Sequence, residues 1–289
     1  MSPVVKVSAQ APLALARSFL FVPGHRPERF AKALASGADA VIIDFEDAVP
    51  LDAKANAREA LVAAWAAFDA AQRARLLVRV NPAGTPWHDA DLAAVASLTG
   101  LGAVMLPKAE SAQQIDVVVR CTRLPVLPLI ESAEGFGQID ALARADGVLR
   151  IGLGHIDLQA DLGMACGPDE TELAPGRWAM VVASRRAGLP APVDGVTTAT
   201  TDAVVLARDT QRSRRFGFGA KLCIHPAQVA GVHQALAPTE AECDWARRVL
   251  AAEIEARGGA FSVDGKMVDP PVLLLANKIL KTAAMRPAV

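Results

Sequence analysis

Polar residues with defined chemistry close a series of short apolar runs in this sequence. One run ends in Asp44-Phe45-Glu46-Asp47, the next in Arg79-Val80-Asn81, and later ones in Lys108-Ala109-Glu110, Glu131-Ser132, Gly154-His155-Ile156-Asp157 and His225-Pro226. Glu131 and Asp157 close consecutive runs. Two hard oxygen ligands side by side suit an octahedral Mg2+, which takes one or two carboxylates and fills its other positions with water and substrate oxygens. Either acid alone would serve equally as a helix cap or a rim ion pair. Arg79 follows the apolar Leu76-Leu77-Val78, and a guanidinium so placed can grip a carboxylate or enolate with two hydrogen bonds. It could also do no more than neutralise the acids at 44–47. That cluster repels itself unless Arg79, Lys108 or a metal-bound water faces it, and Asp47 could instead precede and cap a helix.

Smaller signals accompany these. Gly24 after Pro23 reads as a permissive turn, and Gly135 and Gly137 would let a ligand approach the start of a helix. Lys221 lies inside an apolar run, where it could form a Schiff base or neutralise charge beneath a metal site. The five histidines show neither H-E-x-x-H nor H-x-x-E-H spacing, which disfavours a zinc hydrolase.

Eight runs rich in β-branched residues must position these groups: 18–22, 40–45, 76–80, 103–107, 126–130, 147–152, 192–196 and 220–224. Ala-rich, charge-studded stretches alternate with them and predict helices at 27–36, 53–71, 89–98, 112–120, 138–144, 177–187, 201–214 and 227–236. Several runs are apolar throughout, as expected of strands covered on both faces. Eight such units predict an α/β fold, a (β/α)8 TIM barrel over 17–237, in which chemistry collects at the C-terminal ends of the strands. An open doubly wound sheet competes, but no G-x-G-x-x-G follows the first run, where Val22-Pro23-Gly24-His25 stands instead. Residues 1–16 read as a loose tail. Residues 238–289 read as a C-terminal extension: a helix near 239–257, a hairpin-like stretch at 258–269 and a last helix from 271.

Composition narrows the function. The 289 residues carry 30 Lys+Arg against 31 Asp+Glu, so no broad basic field invites nucleic acid or an anionic membrane. Hydrophobic residues make up 52% of the chain, yet no window approaches about 18 uninterrupted apolar positions, so the excess is expected to be buried rather than membrane-embedded. Cys121, Cys166, Cys223 and Cys243 lie far apart without a C-x-x-C pair, which predicts reduced thiols and a cytoplasmic setting.

Taken in order, Arg17-Ser18-Phe19-Leu20-Phe21-Val22-Pro23-Gly24, Asp44-Phe45-Glu46-Asp47-Ala48-Val49 and Arg79-Val80-Asn81 resemble the citrate lyase beta subunit and malyl-CoA (citramalyl-CoA) lyase family of the HpcH/HpaI aldolase superfamily. So do Leu106-Pro107-Lys108-Ala109-Glu110, Leu129-Ile130-Glu131-Ser132-Ala133, Gly154-His155-Ile156-Asp157-Leu158, Pro192-Val193-Asp194-Gly195-Val196 and Gly219-Ala220-Lys221-Leu222-Cys223-Ile224-His225-Pro226. The resemblance spans nearly the whole chain. It implies a Mg2+-dependent lyase that splits a 3-hydroxyacyl-CoA into acetyl-CoA and a 2-oxo acid, with coenzyme A entering as part of the substrate. Glu131 and Asp157 fall on the family's metal ligands and Arg79 on its substrate-binding Arg. Gly265-Lys266-Met267-Val268-Asp269 resembles the lid of the stand-alone lyases, whose Asp enters a neighbouring subunit's site, so a homo-oligomer, trimer or hexamer, is implied. The expected catalytic set is Arg79, Asp269, Glu46 and Asp47. Substrate binding is expected from Arg79, Glu131, Lys108, Arg17, Pro23 and Gly24. Phe45 departs from the Leu more usual in the family, and the rim positions His155 and Met164 are not diagnostic. A CoA-independent class II 2-oxo-acid aldolase, a citryl-CoA lyase subunit of a citrate lyase complex and a non-catalytic CoA-binding paralogue are the alternatives.

Overall fold

A computed structural model describes residues 12–256 and 261–284. By internal contacts the chain divides after His233 into two compact units. The first holds a closed barrel of eight parallel strands: β1 (Ser18–Pro23), β2 (Ala40–Asp44), β3 (Leu76–Arg79), β4 (Ala103–Leu106), β5 (Val126–Ile130), β6 (Gly152–Leu153), β7 (Val193–Asp194) and β8 (Ala220–Cys223). Closure comes from β1, which pairs with β2 and, through Ser18 opposite Lys221, with β8. All residues of β2, β4 and β5 are buried. This double-sided burial is why those runs read as continuously apolar.

Alternate strand residues fill the barrel. Phe19, Ile42, Leu77, Met105, Leu127 and Leu222 share one cluster, which also takes in Leu13, Ala14 and Ala16. The expected loose tail is therefore corrected from residue 12 onward, since the short helix Pro12–Leu15 packs into that cluster. Gly102 makes room for it: a Cβ there would lie 2.7 Å from Leu13 Cδ1. Arg150, fully buried, fastens the segment by donating to Ala16 O at 2.6 Å and to Ala14 O at 3.4 Å, and to Ala191 O at 2.9 Å. Residues 1–11 of the expected tail lie outside the described residues.

Several elements differ from their expected form. The helix anticipated at 53–71 stops at Ala64, passes through the 3-10 turn Trp65–Ala67 and restarts as Ala70–Ala74, because Asp69 and Gln72 form a capping box that opens a new helix. The strand anticipated at 147–152 is reduced to Gly152–Leu153; upstream of it Val148 makes only an isolated bridge to Val126, following Gly147 at φ +84°. An unanticipated helix, His155–Leu162, follows β6 directly and ends at Gly163 in the left-handed region. No side chain caps its start, so the sequence carries no N-cap signal for it.

The second unit contains the helix Glu240–Ala256, an antiparallel hairpin of β9 (Phe261–Val263) and β10 (Lys266–Val268), and the helix Pro270–Ala284. Asp264 and Gly265 turn the hairpin with φ +51° and +72°, the positive pair that an Asp-Gly turn supplies. Val268, Ala276 and Ile279 pack with Cys243, Ala246 and Val249. Asp269 caps the last helix, its Oδ1 accepting the Val272 N–H at 3.3 Å. Positions 257–260, part of the expected hairpin stretch, lie outside the described residues. No described helix is long and apolar enough to cross a membrane.

Candidate active site

The C-terminal ends of β2 and β3 bring the acidic cluster and Arg79 together. Asp44 Oδ1 and Oδ2 accept from Arg79 Nε at 2.7 Å and Nη2 at 2.6 Å, a bidentate pair with the acid fully buried. The same carboxylate accepts the backbone N–H groups of Glu46 and Ala48 at 2.9 and 3.0 Å, which folds residues 44–48 into a tight loop. Arg79 Nη1 lies 2.8 Å from Glu46 Oε2 and 3.4 Å from Asp47 Oδ2, and the guanidinium carbon stands 4.8 Å over the Phe21 ring. Burial opposes the charge on Arg79, but Asp44 foremost, then Glu46 and Asp47, raise its pKa and hold it cationic.

Glu46 is the uncomfortable member. Only 5% exposed, its Oε2 makes no hydrogen bond of acceptable direction despite the nearby Nη1. Burial pushes its carboxyl up to about 8, Arg79 pulling down while Asp47, Glu131 and Asp44 push further up. Beneath the loop the buried Lys54 ammonium donates to Phe45 O and Glu46 O, each at 2.9 Å. Asn81 Nδ2 also donates to Phe45 O at 3.0 Å and is itself held by Asp91 at 2.7 Å. Arg79 thus faces the acids, and Asn81, two residues on, braces the loop that carries them.

Glu131 follows β5 directly with 4% exposure, and its Oε1 accepts the Lys108 N–H at 2.8 Å. Lys108 adopts φ +47°, a left-handed backbone uncommon for a residue with a Cβ, and its Nζ stands 3.6 Å from Asp157 Oδ1. Asp157 lies in the first turn of the helix His155–Leu162 with its side chain 41% exposed. The other face of the Glu131 carboxylate rests on Gly154, where a Cβ would come within 2.1 Å of Oε2. Burial pushes Glu131 up to about 7, the Lys108 N–H lowers it, and Asp157 raises it.

This donor set fits a hard divalent ion. A buried carboxylate and a half-exposed one reach the rim from adjacent strands, and the charge their proximity disfavours is what a cation would stabilise. Among the described residues no three His, Cys, Asp or Glu side chains form a cage.

The remaining expected site residues are not equally placed. Pro23 and Gly24 stand at the end of β1, with the Gly24 N–H donating to Asp44 O at 2.8 Å; a Cβ there would strike Phe45 Cδ1 at 2.7 Å, so this glycine is needed for loop packing. Arg17 is a correction. It precedes β1 at the opposite end of the barrel, roughly 20 Å of strand from Gly24, with its N–H on Asp39 Oδ2 at 2.7 Å and its Nε 3.6 Å from the same oxygen. A residue there does not reach the rim. Lys221 is buried in β8 and donates to Gly195 O at 2.7 Å, with burial lowering its pKa against the pull of Asp194. Gly135 packs on Ala109 O, which a Cβ would approach to 2.8 Å.

Sequence reading did not single out the ionic group behind β6 and β7. Arg177 pairs with Asp194 at 3.2 Å and with Glu170, and Arg212 reaches Glu170 at 2.8 Å and Asp209 at 3.1 Å. A cleft of about 220 Å³ beside it is lined by His155, Gln159, Thr197 and Arg208 among others. Charges scattered over two helices, a loop and one strand have no local spacing by which to be recognised. His155 was expected on the rim; it is 4% exposed and packed inward.

Residues 17–226 match the family model described as HpcH/HpaI aldolase/citrate lyase. The chain belongs to that family. It is 39% identical over 285 residues to a citrate lyase subunit beta-like protein of Deinococcus radiodurans, covering 95% of this chain and 99% of that protein. Over 274 residues it is 35% identical to a (3S)-malyl-CoA thioesterase of Cereibacter sphaeroides, covering 92% and 94%. The structure of protein CitE from Mycobacterium tuberculosis in complex with magnesium, acetoacetate and coenzyme A matches at a TM-score of 0.83 and 36% identity, covering 94% of this chain and 99% of that one. As a member of the HpcH/HpaI family with the family's barrel, the chain is a carbon–carbon lyase.

Proposed function

We propose that the chain cleaves a 3-hydroxyacyl-CoA of the citramalyl-CoA or malyl-CoA type into acetyl-CoA and a 2-oxo acid, with Mg2+ held by Glu131 and Asp157. The observation that carries the reading is the rim itself, where this carboxylate pair, following β5 and β6, and the Asp44-anchored Arg79 at the end of β3 stand at the same end of the barrel. The CitE complex with magnesium, acetoacetate and coenzyme A supports the same ligand classes. When bound, Mg2+ would polarise the substrate hydroxyl and adjacent carboxylate and lower the hydroxyl pKa.

The protein groups divide the remaining work. Lys108, through its N–H, holds the Glu131 carboxylate in one orientation. Its ammonium partly offsets Asp157 and offers a cation to a substrate carboxylate. Arg79, fixed by two hydrogen bonds to Asp44, keeps N–H capacity for the negative charge that develops on the thioester oxygen as the C–C bond breaks. Glu46 and Asp47 flank that guanidinium, and a protonated Glu46 limits the negative charge beside the enolate. Asp269, contributed by a neighbouring copy in a homo-oligomer, would move the proton between solvent, hydroxyl and enolate carbon. Closure of that segment would exclude water. Near-neutral charge and well-separated thiols support a cytoplasmic setting.

Arg79→Lys should lower kcat by about 10²- to 10³-fold, the loss typical of one oxyanion donor, while thermal unfolding still shows a folded barrel. Asp269→Asn should abolish turnover with product binding nearly intact. Wild-type kcat in either variant contradicts the role given to that residue. A second reading, hydrolysis of the thioester to the free hydroxy acid, is favoured by the 35% identity to the (3S)-malyl-CoA thioesterase. Product analysis separates the two.

A further inference from the structure

The turn Gly154-His155-Ile156-Asp157 is fixed at two points behind the rim. Gly154 lies under the Glu131 carboxylate, with no space for a Cβ. One residue on, the His155 ring is driven against the backbone of Gly195, where a Cβ would fall 2.0 Å from His155 Nδ1 and 2.8 Å from Cε1. His155 Nδ1 has no hydrogen-bond partner, and its Nε2 is 3.9 Å from Glu170 Oε1, beyond hydrogen-bond reach. The ring is therefore placed by packing.

Its seat is unusually firm. The Gly195 N–H donates to Asp194 Oδ1 at 2.9 Å, and its carbonyl accepts from the buried Lys221 at 2.7 Å. Asp194 is in turn clamped by Arg177, and Glu170, at φ +50°, is held beside the ring by Arg177 and Arg212. The Asp157 carboxylate is half-exposed, and its one ion-pair partner among those described is Lys108 at 3.6 Å. Its direction is set less by its own contacts than by the helix turn that carries it, and that turn is wedged by His155.

We propose that His155 is a positioning residue for Asp157: seated on Gly195 and backed by Glu170, its ring sets the start of the helix His155–Leu162 and so aims the carboxylate at the divalent-ion position beside Glu131. The inference rests on Glu131 and Asp157 being the ion's ligands. It also accounts for the glycine in Pro192-Val193-Asp194-Gly195-Val196 and for the buried charges that turnover does not use.

Titration of the purified full-length protein with Mg2+ alone, by calorimetry, tests this without substrate. His155→Ala and Gly195→Ala should each weaken Mg2+ about 10- to 100-fold, the range for residues that orient metal ligands, with unfolding still cooperative. His155→Phe, which keeps a flat ring on Gly195, should restore affinity to within a few-fold of wild type. Wild-type Mg2+ affinity in folded His155→Ala, or in Gly195→Ala should the first variant not fold, overturns the proposal. Asp157→Asn separates the two levels. If it binds Mg2+ like wild type, or if wild type shows no saturable binding, the ligand assignment itself falls and this inference with it.

Discussion

At the residue scale the site is a set of charges held where solvation alone would not leave them. Glu46 shows the consequence most directly. Its folded-state pKa, about 8, lies above the 4.5 of a free carboxyl because burial disfavours the anion. The folded state therefore keeps the extra proton through that window, and the stability linked to Glu46 is complete below about pH 4.5 and lost as the pH rises toward 8. Glu46→Gln removes this dependence. Thermal melts of the metal-free protein should show the variant gaining on wild type by at most about 1.4 kcal/mol per pH unit between pH 5 and 8. A constant difference across that range would mean that Glu46 titrates normally. The placement of Glu131, Asp157 and Arg79 at one end of the barrel was legible from sequence because each closes an apolar run, and strand ends are where a parallel barrel assembles its chemistry. Arg17 failed by the same logic, since it precedes its run and stands at the far end. His155 was misread for a different reason: whether a side chain on a short helix turns outward or inward depends on what it meets, and Gly195 is 40 residues away in sequence.

At the scale of elements, the eight strands and their order followed from alternating apolar runs, and β5 falls at the expected 126–130. Periodicity failed where tertiary pairing does the work. Strands β6 and β7 are each two residues long, below what a hydrophobic pattern can delimit, and the break at Asp69 comes from a capping box inside an Ala-rich stretch that otherwise reads as one helix. The short helix Pro12–Leu15 was invisible because its burial is decided by the barrel's N-terminal opening, which no local pattern encodes. Arg150 is the device that holds that end. Arg150→Met leaves the carbonyls of Ala14, Ala16 and Ala191 short of a donor at about 1–3 kcal/mol for each buried group left unsatisfied. The melting temperature should fall clearly while kcat per folded molecule stays near wild type, because the change lies at the end of the barrel away from the chemistry. A loss of kcat without loss of stability would contradict that division of labour.

At the scale of the whole molecule, near-neutral net charge conceals a strongly charged rim and a second buried ionic group beside it, and the hydrophobic excess is consumed by strands covered on both faces. The family and the barrel were readable because ordered motifs span most of the chain. The assembly was not, since one chain's sequence records no partner geometry. If Asp269 serves a neighbouring copy, oligomers co-assembled from Asp269→Asn and Arg79→Lys chains should recover activity that neither variant has alone; no recovery would place both residues in one chain's site. The central claim, that Glu131, Asp157 and Arg79 form the site of a CoA-ester carbon–carbon lyase, is tested most directly by identifying the products. Malyl-CoA and citramalyl-CoA, both stereoisomers of each, would be incubated with the enzyme and Mg2+ and resolved by mass spectrometry. The account predicts acetyl-CoA together with glyoxylate or pyruvate, lost when Mg2+ is chelated. Free coenzyme A with the intact hydroxy acid, or cleavage of free hydroxy-oxo acids with no action on the thioesters, would contradict it.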